Sequence, residues 1–109
     1  METIMIERII RSLGISATYC GYRYLSYGIA LCLQDESYLL SISKLLYPQI
    51  ANQYCTTSSS VERNIRTVIK ICWDRGNREL LQEIAMYPLI VRPTSGEFID
   101  IIVGYVKQI

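Results

Sequence analysis

Apolar residues in the middle of the chain recur at the spacing of one face of an α-helix. Between residues 59 and 75 they fall at i, i+4, i+7, i+8 and i+11, as Val61, Ile65, Val68, Ile69 and Cys72. This is the stripe of a helix that buries one face. The opposite side repeats at i, i+4, i+7 and i+11, as Ser59, Arg63, Arg66 and Lys70. The pattern predicts a long amphipathic helix with a buried apolar side and a cationic outer side.

Other segments with helical periodicity lie at residues 2–12, 16–36, 37–47, 78–85 and 94–106. Thr94 or Ser95 caps the last of them, with Glu97 in its first turn. No segment alternates as a strand would, and residues 87–94, which hold two prolines, indicate an extended connection. The sequence therefore predicts an all-α fold, a compact bundle of about six helices in a single domain of residues 1–109.

The second helix contains two glycines, Gly21 and Gly28. Each costs about 1 kcal/mol relative to alanine in a helix interior. We therefore expect both to allow another helix to pack closely. The same helix is surrounded by tyrosines, and packing with their hydroxyls at the surface is favoured over a platform for stacking bases.

A shorter helix begins at Pro48, and a polar turn separates it from the long helix. A DNA-binding helix–turn–helix needs a small residue where its two helices cross, which fits Ala51. Apolar residues must surround that crossing, and this chain has Ile50, Tyr54, Val61 and Ile65. The turn usually carries a glycine about four residues later, where this chain has Cys55. Residues 48–75 therefore predict a helix–turn–helix, although a helical hairpin with no DNA role has much of the same pattern.

Candidate DNA contacts lie at the start and on the outer side of the long helix: Ser59, Glu62, Arg63, Arg66 and Lys70. An exposed cationic face suits a helix that enters the major groove, where arginines contact phosphates or guanines. Glu62 has two open roles. With Ser59 it forms the pattern of a capping box, and its carboxylate also suits a cytosine amino group.

The net charge of the chain is only +1, which gives no support to nucleic-acid binding. The distribution of charge is more informative. From residue 63 to residue 78 there are five cations against one acid, Asp74: Arg63, Arg66, Lys70, Arg75 and Arg78. A local basic patch of this kind attracts phosphate modestly at cellular ionic strength.

Composition excludes several classes of function. The four cysteines form no CxxC pair and the chain has no histidine, so we expect buried free thiols and no metal site. Without histidine, paired carboxylates or a glycine-rich phosphate loop, we expect neither an enzyme nor a cofactor or small-molecule substrate. No apolar run approaches the roughly 18 residues of a membrane span and there is no signal peptide, which predicts a cytoplasmic protein.

The chain resembles the C-terminal effector domain of the master response regulator of sporulation initiation. Five motifs carry the likeness: Gly21-Tyr22-x-Tyr24-Leu25, Leu45-Leu46-Tyr47-Pro48-x-Ile50-Ala51-x-x-Tyr54, Thr57-x-Ser59-x-Val61-Glu62-Arg63-x-Ile65-Arg66, Trp73-x-Arg75-Gly76-Asn77 and Pro93-Thr94-x-x-Glu97-Phe98-Ile99. The resemblance covers residues 4–106. It implies a six-helix bundle whose helix–turn–helix binds a short operator box on double-stranded DNA, with domains arranged in tandem or as a homodimer. It also implies base and backbone contacts for Glu62, Arg63 and Arg66.

The chain departs from that family at two positions of the long helix and at the beginning of the chain. Ser60 stands where the family typically has an arginine that reads a guanine, and Thr67 stands where it often has a histidine. The resemblance therefore implies that both positions face DNA, with Thr67 bonding a phosphate. The chain begins a few residues before the first helix, so we expect a stand-alone form without a phosphoacceptor receiver domain.

Two functions follow from these observations. The first is a sequence-preferring, DNA-binding transcriptional regulator, which Arg63, Arg66 and Lys70 favour. The second is a protein-interaction module that pairs with or blocks a full-length regulator without reading DNA, which Ser60 and the near-neutral charge favour.

Overall fold

The computed structural model describes residues 2–109, and these form a bundle of helices without strands. Seven α-helices and one turn of π-helix follow in order: α1 (Glu2–Ser12), α2 (Cys20–Gln34), α3 (Ser37–Leu40), the π turn (Ile42–Leu46), α4 (Tyr47–Gln53), α5 (Ser58–Arg75), α6 (Arg78–Ala85) and α7 (Ser95–Gln108). The predicted all-α fold is confirmed. Residues 86–94, which include the 87–94 segment predicted as an extended connection, are not helical and join α6 to α7.

The single helix predicted over residues 37–47 is wrong. The chain leaves α3 at Ser41, whose φ of −143° and ψ of 69° are not helical. It then re-enters through the π turn, in which the amide of Leu46 donates to the carbonyl of Ser41 at 3.3 Å. The π turn runs directly into α4. Pro48 lies in the first turn of α4.

Helix α5 packs against α2, α4, α6 and α7. Its predicted apolar stripe is confirmed, since all five stripe residues are buried: Val61, Ile65, Val68, Ile69 and Cys72. The buried face of α7 includes Phe98, Ile101, Ile102 and Val106. Tyr105 is only partly buried and packs against the core from its edge.

The end of α1 is fixed to the end of α5 through backbone atoms. Gly14 has a φ of +89°, a conformation that favours glycine. A Cβ at Gly14 would lie 2.7 Å from the Cα of Gly76, and the amide of Asn77 donates to the carbonyl of Leu13 at 3.0 Å. This contact sets the position of α5 relative to the N-terminal helix.

Candidate nucleic-acid interface

The turn between α4 and α5 has one of the two backbone hydrogen bonds of a Schellman motif and its left-handed residue. The amide of Thr56 donates to the carbonyl of Ala51 at 2.9 Å, which closes the end of α4. Between them Cys55 has a φ of +53°, in the left-handed region. This is the position at which glycine is usual, so the turn keeps that backbone conformation with a cysteine. Ala51 itself is buried beneath the turn.

Tyr54 fixes this turn to α2. Its ring centroid lies 5.3 Å from that of Tyr24 and 5.8 Å from that of Tyr27, the second pair being edge to face. In α2, the side chains of Tyr22 and Tyr24 are buried and form part of the hydrophobic core. Burial raises the pKa of Tyr54 above its ordinary value.

Helix α5 begins earlier than the sequence pattern predicts. Its N-cap is Thr57, whose hydroxyl accepts a hydrogen bond from the amide of Ser60 at 3.1 Å. A capping box joins the N-cap to the third helical residue, which is Ser60 and not Glu62. The predicted capping box of Ser59 and Glu62 is therefore wrong. In α7, by contrast, Thr94 and Glu97 form a complete capping box.

The outer face of α5 carries two ion pairs between residues one turn apart. Glu62 Oε1 lies 3.0 Å from Arg66 Nη1, and Asp74 Oδ2 lies 2.5 Å from Lys70 Nζ. The hydrogen bond from Lys70 lowers the pKa of Asp74. Exposed i,i+4 pairs contribute only about 0.3–0.5 kcal/mol each. A phosphate can therefore replace either acid at small cost.

The other candidate DNA contacts differ in their exposure and in the hydrogen bonds and ion pairs that they already make. Arg63 is exposed and belongs to no ion pair within residues 2–109. The hydroxyl of Thr67 donates to the carbonyl of Arg63 at 2.9 Å. A hydrogen bond from this hydroxyl to a phosphate would therefore replace the one to Arg63. Ser59 is exposed, whereas Ser60 is half-buried and its carbonyl accepts from Asn64 Nδ2 at 2.8 Å.

Arg78 does not add to this face, although the sequence pattern counts it in the basic patch. Its guanidinium carbon lies 3.9 Å from the centroid of the Trp73 ring. Two of its nitrogens also donate to the carbonyl of Trp73, at 3.0 and 2.8 Å. Arg78 therefore closes the C-terminal turn of α5. Trp73 is only partly buried and packs against the core.

Two open grooves lie beside the outer face of α5. The first, the α5–α7 groove, has a volume of about 450 Å³ and is lined by residues that include Ser43, Tyr47, Glu62, Arg66, Arg92 and Ser95. The second, the α2–α5 groove, has a volume of about 540 Å³ and is lined by Tyr19, Thr67, Lys70, Ile71, Asp74 and Arg75. At about 100° per residue, Glu62 and Thr67 lie on opposite sides of the stripe formed by Ser59, Arg63, Arg66 and Lys70. The outer face of α5 is thus a ridge between two grooves.

A family model described as "Sporulation initiation factor Spo0A C terminal" matches residues 6–106. The chain belongs to this family. Membership makes it a DNA-binding domain concerned with transcription regulation in sporulation, in agreement with the resemblance noted in its motifs. The Spo0A C-terminal family is a family of DNA-binding domains and not of enzymes.

Sequence reasoning missed one basic residue beside α5, Arg92. It lies in the connection before α7, far from α5 along the chain, and only the packing of that connection brings it to the α5–α7 groove with Arg66. A single cation next to Pro93 has no periodicity that would identify it. The Spo0A C-terminal motifs of this chain do not include it either.

The structure has all four cysteines as free thiols, but they are not all buried as predicted. Cys32 and Cys72 are buried, whereas Cys20 and Cys55 are exposed. Burial raises the pKa of both Cys32 and Cys72 to about 11. Within residues 2–109, no three histidine, cysteine or acidic side chains lie close enough to hold a metal ion. No helix in that range is long and apolar enough to span a bilayer.

Proposed function

We propose that this chain is a sequence-preferring, double-stranded DNA-binding transcriptional regulator and that α5 enters the major groove. The helix–turn–helix comprises α4 and α5, within about residues 48–75, in the single domain of residues 1–109. One observation carries the proposal. The apolar stripe of α5 is buried, which leaves its cationic stripe exposed as a ridge that a groove can receive.

The exposed candidates have different roles in this proposal. Ser59 and Ser60, in the first turn of α5, face base edges, because the N-terminal residues of a recognition helix reach deepest into the groove. Arg63 contacts a base or a phosphate without first losing a partner. Arg66 and Lys70 exchange their acids for phosphate, and the released Glu62 accepts from a cytosine. Thr67 exchanges its local hydrogen bond for one to phosphate.

The partner is double-stranded DNA, on which copies of the domain bind as a homodimer or in tandem. No membrane, cofactor, metal or small-molecule substrate is part of the proposal. A DNA-binding role places the protein in the cytoplasm, with the nucleoid.

A selection of bound duplexes from a random pool tests DNA binding and identifies the preferred sequence in the same experiment. The selected duplex and a scrambled one are then compared by gel shift at two salt concentrations. We expect tighter binding of the selected duplex and a steep loss of affinity with salt, because phosphate contacts release counterions. The Arg63→Ala variant should bind more weakly than the wild type. The Arg8→Ala variant is the control, because it loses the same charge from α1.

A second function is favoured by Ser60 and by the two ion pairs of α5. The serine lacks the guanidinium that reads guanine in the family, and the acids Glu62 and Asp74 neutralise two of the cations on the ridge. In this alternative, the chain is an interaction module that pairs with or blocks a full-length regulator. No enrichment in the selection and no salt-dependent shift, with the protein folded, would favour the alternative over DNA binding.

A further inference from the structure

The α5–α7 groove lies along one side of the ridge of α5, where Glu62, Arg66 and Ile69 line it. In a major-groove complex, a recognition helix has a phosphate backbone along each of its sides. A cation on the wall of the groove opposite α5 is therefore close to the DNA backbone. Arg92 is such a cation, and it comes from a segment outside the helix–turn–helix.

We propose that Arg92 is a DNA-backbone contact, binding a phosphate that lies in the α5–α7 groove next to Arg66. This inference rests on the proposed entry of α5 into the major groove. Arg92 would hold the sugar–phosphate wall while Arg63 and the first turn of α5 face the bases. The contact is to phosphate because the guanidinium lies to the side of the ridge and not on its crest.

The charges around Arg92 support a role toward an external anion. Glu62, the acid that lines the groove, is paired with Arg66 at 3.0 Å. Asp74, whose pKa is lowered mainly by the hydrogen bond from Lys70 and in smaller part by the charge of Arg92, is paired with Lys70 at 2.5 Å. Within residues 2–109, Arg92 belongs to no ion pair, and it is exposed.

The start of α7 also lines this groove, but we do not assign phosphate binding to this helix end. Its N-cap hydroxyl, Thr94 Oγ1, accepts from the amide of Glu97 at 3.2 Å, and Glu97 Oε1 accepts from the amide of Thr94 at 3.0 Å. The capping box therefore already uses one helix-end amide and puts an acid at that end. The free positive charge of the groove wall is that of Arg92.

The test compares Arg92→Ala, Arg92→Lys, Arg66→Ala and Arg8→Ala by gel shift at several salt concentrations, on the selected duplex and on a scrambled one. Arg8 lies in α1, beside Leu80, Ile84 and Tyr105, and its loss changes the net charge equally. We expect Arg92→Ala to lose about tenfold in affinity for both duplexes and to reduce the salt slope by about one unit. Arg92→Lys should retain the slope and most of the affinity, and Arg8→Ala should change affinity less than about twofold.

The outcomes separate this inference from the proposed function. If the wild type binds and Arg66→Ala weakens it, but Arg92→Ala behaves as Arg8→Ala does, the assignment of Arg92 is wrong and the proposed function stands. A loss confined to the selected duplex would make Arg92 a base contact and overturn the phosphate assignment. If the wild type binds neither duplex, the proposed function fails and the inference fails with it. Circular dichroism melting curves confirm that each variant is folded.

Discussion

A Cβ added to Gly21 of α2 would lie 2.3 Å from the backbone carbonyl oxygen of Asn64 in α5. The backbones of the two helices are therefore in contact at this point, with no space for a side chain. Gly28 lies two turns further along the same face of α2, and a Cβ added to it would lie 2.9 Å from Ile50 Cδ1 in α4. The expectation that both glycines allow close helix packing is confirmed. Because α5 is the candidate recognition helix, Gly21 sets how it is held by the scaffold.

We expect Gly21→Ala to lower the free energy of unfolding by about 2 kcal/mol, because the backbones must separate to admit a methyl group. The measurement is urea unfolding followed by circular dichroism. Gly104→Ala in α7 is the matched control, since nothing lies within 4 Å of its added Cβ. That variant should gain up to about 1 kcal/mol from helix propensity. Equal effects of the two substitutions would show that α2 and α5 are not in backbone contact.

A second prediction concerns the left-handed residue in the turn. Cys55→Gly should raise the free energy of unfolding by about 0.5–1 kcal/mol, because a φ of +53° is strained for a residue with a Cβ. Cys55→Ala keeps the Cβ and should leave stability nearly unchanged, since the Cys55 side chain is exposed. Thermal and urea unfolding of both variants provide the comparison. A gain for alanine as large as that for glycine would indicate an effect of the thiol and not of the backbone.

A third prediction separates the observed N-cap of α5 from the one expected from sequence. Thr57→Ala should cost about 1 kcal/mol of stability, because the amide of Ser60 loses its acceptor. Ser59→Ala should cost little, because Ser59 lies within the first turn as an exposed side chain. Urea unfolding of the two variants is sufficient. The reverse order of effects would restore the capping box predicted from Ser59 and Glu62.

These cases show what the sequence can and cannot predict. The buried stripe of α5 follows from periodicity alone, because a helix fixes which residues share a face. The cap does not, because Thr56, Thr57, Ser58, Ser59 and Ser60 are five successive residues that all make good caps. Packing of the stripe against the core selects one of them. The π turn depends in the same way on how α3 and α4 are joined in three dimensions.

Some features of the candidate DNA-binding site can likewise be predicted from periodicity, and others cannot. Arg63, Arg66 and Lys70 are predictable as one exposed face, and the i,i+4 spacing of Glu62 with Arg66 also indicates their pairing. Arg92 reaches α5 only through the path of an irregular connection. The exposure of Cys20 and Cys55 likewise depends on where a helix starts and a turn ends.

A fourth prediction follows from the buried thiols. Their pKa is raised to about 11 from an ordinary value of 9.0, so between these values an unfolded chain releases protons that the folded chain keeps. The free energy of unfolding should therefore fall as pH rises through this range, and the contribution of these thiols is fully present below it. Urea unfolding on either side of the ordinary thiol pKa measures the fall. In Cys32→Ala the fall should be smaller, and an unchanged fall would exclude Cys32 as a cause.

The last prediction concerns Ser60, the residue at which the chain departs from its family in the first turn of α5. Ser60→Arg should create a preference for a duplex that carries a guanine at the facing position, by about 1–3 kcal/mol, because a bidentate arginine–guanine pair discriminates by that amount. Ser60 is half-buried and its carbonyl, not its side chain, makes the shorter bond to Asn64, so stability should change little.

The measurement repeats the random-pool selection with the variant and compares its enriched duplexes with those of the wild type. Thr67→Arg is the matched control, since it adds the same charge to an exposed position later on α5, away from the first turn. It should strengthen binding to all duplexes about equally without a new guanine preference, because a cation away from the base edges meets phosphate. A new guanine preference in Ser60→Arg alone would place the first turn of α5 at the bases. If both folded variants leave DNA affinity and preference unchanged, α5 does not enter the groove, and the interaction-module function replaces DNA reading.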